Sequence, residues 1–132
     1  MPSLRKVKQQ AKVFYDAWRK TGSFCPAFNS EIVVSLKGWR HITGATGSKK
    51  RKRDDAYRRL MLLPYAKQIT ERSTTVQNVA IKHKIEYHVL EAMVAVKEGG
   101  KTSTSKRKVR VVFVKDKAGK LIFYSVMDKK TR

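Results

Sequence analysis

His41 stands in the stretch Lys37-Gly38-Trp39-Arg40-His41-Ile42, just after the apolar run Ile32-Val33-Val34. Imidazole is the side chain whose ordinary pKa lies closest to neutrality. The 132 residues around it include 31 Lys and Arg against 10 Asp and Glu, a formal charge of +21. A proton-moving group in so cationic a chain points to chemistry on a polyanion. Surrounding positive charge favours the neutral ring, the form a general base needs. The competing reading is a histidine at a helix start, packed beside Trp39. His83, between Lys82 and Lys84, reads as a solvated turn residue. His88, on the strand face opposite Tyr87, is a second candidate for acid–base work.

Metal chemistry fits the sequence poorly, and no cofactor is expected. The acidic residues are scattered, with Asp54-Asp55 the only adjacent pair. Helix neighbours diverge by roughly 100° and do not converge on one ion. No Cys/His group has zinc spacing, and Gly44-x-x-Gly47 lacks the Lys-Ser/Thr of a phosphate loop. RNA cleavage dispenses with metals. The 2′-hydroxyl is the nucleophile once a base removes its proton, an acid protonates the departing 5′-oxygen, and fixed cations steady the phosphate. DNA has no such internal nucleophile, so RNA is the better substrate.

Arg40 and Arg110 are the best cations for that phosphate. Arg110 interrupts an apolar strand, where it either faces solvent from an uncovered sheet or meets a substrate there. Ser125, between Tyr124 and Val126, interrupts the last strand in the same way. Its hydroxyl is suited to a phosphate oxygen, and the Tyr124 ring to a base or a proton transfer; either residue also fits as a satisfied sheet residue. Lys49, Lys50, Arg51, Lys52 and Arg53 would hold phosphates without reading sequence, unless they are only a solvated loop. Lys106, Arg107 and Lys108 and the tail from Lys129 extend the field. Cys25, the single cysteine, reads as a small buried apolar residue.

One domain over residues 1–132 must position these groups. Leu4, Val7, Ala11, Phe14 and Trp18 recur in steps of three and four, predicting an amphipathic helix that Ser3 caps and Thr21-Gly22 ends. Residues 22–30 read as an extended connection and Glu31 to Leu36 as a strand, broken at Lys37-Gly38 before a helical turn carrying His41. A flexible basic loop follows over 44–53. Asp54-Asp55 suit a helix start, and Pro64 kinks that helix or begins another. Val76 to Ile81 is a short strand, and Ile85, Tyr87, Val89, Met93 and Ala95 share one face of a longer one. Val109 to Val114 and Leu121 to Met127 complete a meander, with turns at Gly99-Gly100 and at Asp116 to Gly119. The expected fold is α+β: N-terminal helices on one face of a C-terminal antiparallel sheet of about four strands.

That order of parts, with the strand running into Gly38-Trp39-Arg40-His41-Ile42 and the meander ending Phe123-Tyr124-Ser125, resembles the barnase–EndoU–colicin E5/D–RelE superfamily. It particularly resembles the toxin domains carried by phages and by bacterial competition systems. The resemblance implies a small metal-independent ribonuclease, often aimed at transfer RNA or translated messages and held by an immunity protein or antitoxin. Matched by position, the family's early histidine corresponds to His41, its mid-strand basic residue to Arg110, and its last-strand hydroxyl to Ser125, with Tyr124 nearby.

Three functions therefore compete. The leading one is a toxin-type endoribonuclease acting on cytoplasmic RNA and restrained by an acidic partner. A non-catalytic RNA- or DNA-binding module shares the charge but not the turnover. A basic inhibitor docking on an acidic protein is the third. No segment approaches the roughly 20 apolar residues of a membrane span, so no membrane role is expected.

Overall fold

The computed structural model describes residues 3–44, 53–97 and 104–130. The first helix, α1 (Leu4–Thr21), buries Val7, Ala11, Tyr15 and Trp18 along one stripe. Ser3 accepts the Lys6 N–H at its start. At its end Gly22 adopts φ 60° and returns its N–H to the Trp18 carbonyl, a left-handed turn that costs glycine least.

Residues 22–30 are not a plain connection. They contain β1 (Ser23–Cys25) and the start of β2 (Ser30–Val33), an antiparallel pair closed by a tight turn. Strands of three and four residues leave almost no alternation to read. Helix α2 (Leu36–Thr43) follows, and it runs through Gly38 rather than starting after it. A Cβ at Gly38 would stand 2.6 Å from the Tyr15 hydroxyl and 2.7 Å from the Phe123 carbonyl oxygen. The glycine is therefore a contact point between α2 and the last strand, not a breaker. Helices α3 (Arg53–Met61) and α4 (Leu63–Arg72) are separate, with Pro64 in the first turn of the second, where its missing N–H costs nothing. Asp54 and Asp55 lie in the first turn of α3, near its positive end.

Strands β3 (Asn78–Lys82), β4 (Ile85–Lys97), β5 (Thr104–Lys115) and β6 (Leu121–Lys130) form the expected antiparallel meander. The sheet has six strands, not about four, in the order β1-β2-β6-β5-β4-β3. It is also mixed, because β2 runs parallel to β6 through Ile32 opposite Leu121 and Val33 opposite Ile122. The helices cover one face. Leu60, Leu63, Ala66 and Ile69 from α3 and α4 join Leu90, Val109, Val111, Phe113 and Phe123 in the core.

The predicted stripe of β4 lies on the other face. Leu90 and Val96 are buried toward the helices, whereas Ile85 and Met93 stay exposed. Tyr87, Val89, Val112 and Val114 share that second face by register. Cys25 is buried, and burial pushes its thiol pKa up, so it is a packing residue rather than a nucleophile. Among the described residues no helix is long and apolar enough to cross a membrane.

Candidate functional site

A bulge in the last strand builds the centre of the site. Val112 faces Ser125 while Phe113 faces Phe123, so Tyr124 is the extra residue on β6. Side chains alternate along a regular strand, and residues three apart would point to opposite faces. Phe123 and Val126 are nonetheless both fully buried. The inserted residue absorbs the mismatch, and Tyr124 leaves the core.

Its ring meets His41. The imidazole and phenol stack with centroids 4.0 Å apart and planes inclined by 25°. His41 is half-buried in the last turn of α2, while Trp39 and Ile42 of the same helix anchor it in the core. Gly38 lets α2 approach the β6 backbone closely enough for this contact. Tyr87 of β4 also meets the Tyr124 ring, at 5.9 Å and 60°. An aromatic row, His41–Tyr124–Tyr87, thus crosses from α2 to β4.

Ser125 is next along the strand and 1 % exposed. Its hydroxyl accepts a hydrogen bond from Nη1 of Arg59 on α3. The Asp55 carboxylate accepts from Arg59 Nε at 3.2 Å, which fixes the guanidinium from the opposite side. Arg59 is 14 % exposed and therefore largely withdrawn from water. Its place here is not legible in the sequence. An Asp and Arg four residues apart on a charged helix look like a solvated pair, and nothing local reveals that the guanidinium reaches β6. Ser125 holds this cation; it does not present its hydroxyl to solvent.

Arg110 lies on the same sheet face as Tyr87, but Tyr87 stands opposite Val114, four positions along β5 from Arg110 and hence about 13 Å away along the strand. Its guanidinium donates to Glu91 Oε1 at 2.7 Å, and Lys108 Nζ stands 3.1 Å from Glu91 Oε2. Arg110 and then Lys108 hold the Glu91 carboxyl below its ordinary range. The direct Glu91–Arg110 pair explains why a long charged residue is tolerated in an apolar strand, and its head remains 45 % exposed.

Other candidates separate from this group. Arg40 is exposed on α2 beside His41. His88 points toward the helical side, where Phe28 meets its ring edge-on at 5.5 Å and Glu86 Oε1 lies 3.0 Å from Nε2. The sheet stands between His88 and the His41–Tyr124 stack. Lys49, Lys50, Arg51 and Lys52 lie outside the described residues, and Arg53 opens α3. Among the described residues no three His, Cys, Asp or Glu side chains gather as a metal site. The chain matches no family model, no curated protein and no solved structure.

Proposed function

We propose that this protein is a metal-independent endoribonuclease of toxin type. Support comes chiefly from one arrangement: an imidazole and a phenol stacked at the surface, beside a withdrawn guanidinium, in a chain of charge +21. His41 exchanges the proton of the 2′-hydroxyl or of the 5′-oxygen, and the Tyr124 phenol is the neighbouring group able to serve the other. The 2′-oxygen attacks phosphorus, the bond to the 5′-oxygen breaks, and a 2′,3′-cyclic phosphate remains. Arg59 balances the charge gathering on the phosphoryl oxygens from a site where water screens it little. Ser125 keeps Arg59 in place. Arg110 and Arg40 hold flanking phosphates from exposed positions, with Lys108 further along β5.

The substrate is cellular RNA in the cytoplasm, with transfer RNA the leading class. An acidic immunity protein or antitoxin is the matching partner for so basic a chain. Incubation with total transfer RNA in EDTA tests the reading: discrete fragments with cyclic phosphate ends are expected, and intact RNA at every protein concentration overturns it. A non-catalytic RNA-binding module is the second reading, favoured by the aromatic row on a cationic sheet face. It gives salt-dependent binding with no fragments.

A further inference from the structure

Tyr87 has no part in the proton transfers assigned above, yet it stands on the same surface. It is half-buried on the sheet face away from the core, with Val114 opposite it in register and Ala80 on its other flank. Val114 is 3 % exposed and Val89 7 % exposed on this face, so covered apolar side chains flank Tyr87. Further along the same face come the exposed heads of Arg110 and Lys108. The face therefore carries a half-buried aromatic ring set among apolar side chains, with a cationic border.

We infer that this face is a subsite for single-stranded RNA, in which Tyr87 stacks on an unpaired base adjoining the nucleotide held at His41 and Tyr124, while Arg110 takes a neighbouring phosphate. The inference rests on the ribonuclease reading for the occupant of the His41 end. The physical reason for a single strand is access. A base inside a duplex has both π-faces covered by its neighbours and cannot lie on a tyrosine, whereas an unpaired base can. Duplex RNA is then held by phosphate attraction alone, without the aromatic contribution. Unpaired loops, such as those of folded transfer RNA, are the class of target this selects.

The test separates binding from cutting. A fluorescent 2′-O-methyl RNA of about ten nucleotides lacks the free hydroxyl and cannot be cleaved by the proposed route. Its affinity for the full chain is measured by anisotropy, as a single strand and as a duplex, over a range of salt. The single strand should bind about tenfold or more tightly than the duplex. Tyr87→Leu, which keeps apolar packing but removes the π-face, should lose about tenfold for the single strand, leave the duplex unchanged and leave the salt slope unchanged. Tyr87→Phe should bind as the parent does. Arg110→Gln should weaken both forms and reduce the salt slope by about one. Equal affinity for the two forms, or a Tyr87→Leu variant that binds like the parent, overturns the subsite. Intact transfer RNA in EDTA together with a Tyr87→Leu loss overturns the nuclease and leaves the subsite standing. Cleavage together with no Tyr87→Leu effect does the reverse.

Discussion

At the residue scale, His41 and Arg59 reach the same short stretch of β6 by different routes, and only one of them was legible. His41 announced itself by type and by its cationic neighbours. Arg59 is written in the sequence as one more charge on a basic helix, and its significance arises only where α3 crosses Ser125. Replacing the ring in His41→Ala should lower RNA cleavage at least about 100-fold, the usual worth of a placed acid–base group. Circular dichroism and melting should change little, because Trp39 and Ile42 anchor α2. Undiminished cutting would assign the proton transfer elsewhere. Arg59→Lys keeps the charge but loses the fork that spans Asp55 and Ser125, so a drop of about tenfold or more in turnover is expected with substrate affinity largely kept. Gly38→Ala belongs to a different category. The new methyl meets the Tyr15 hydroxyl and the Phe123 carbonyl oxygen, and a loss of about 1–3 kcal/mol should appear as a lowered urea midpoint.

At the element scale, the long pieces were readable and the short ones were not. The stripe of α1, its serine cap and its glycine stop all follow from spacing and from the chemistry of helix ends. The four long or hairpin-linked strands follow from alternation and turn residues. Strands β1 and β2 escaped because three or four residues carry too little pattern, and Gly38 misled because its use is a close approach that no local rule records. The bulge at Tyr124 was equally silent, since Phe123-Tyr124-Ser125-Val126 reads as an ordinary strand until Phe123 and Val126 are found on one side. The far end of β6 is tied down by Asp128, 4 % exposed, whose carboxylate accepts two bonds from Arg58 at 2.8 and 2.7 Å. Asp128→Ala should therefore loosen α3 from β6. Its cost should be about 1–2 kcal/mol, less than for a fully buried pair because Arg58 is 40 % exposed. Chemical denaturation measures the loss, and hydrogen exchange should rise first in β6.

At the scale of the whole molecule, the charge of +21 works against compactness. Salt screens that repulsion, so the melting temperature should rise between low and moderate ionic strength, and a short polyanion should raise it further at constant salt. Acid acts through the few carboxylates. Glu91 is held below its ordinary value of 4.5 by Arg110 and then Lys108. Glu71 is also lowered: burial pushes its pKa up, but bonds from Ser23 and Lys67 outweigh this. A folded pKa below the unfolded one gives stability that is complete above the ordinary range and lost as pH falls through the folded value. Melting temperature should accordingly stay level from pH 7 to about 5 and decline below about 4.5, with a shallower decline in Glu91→Gln. The parallel pairing of β2 with β6 has a consequence for synthesis. Tyr124 and Ser125 follow His41 by more than eighty residues, so a chain synthesised only as far as β5 has the histidine without the surface it rests on. The His41–Tyr124 stack can thus be assembled only after β6 has been made.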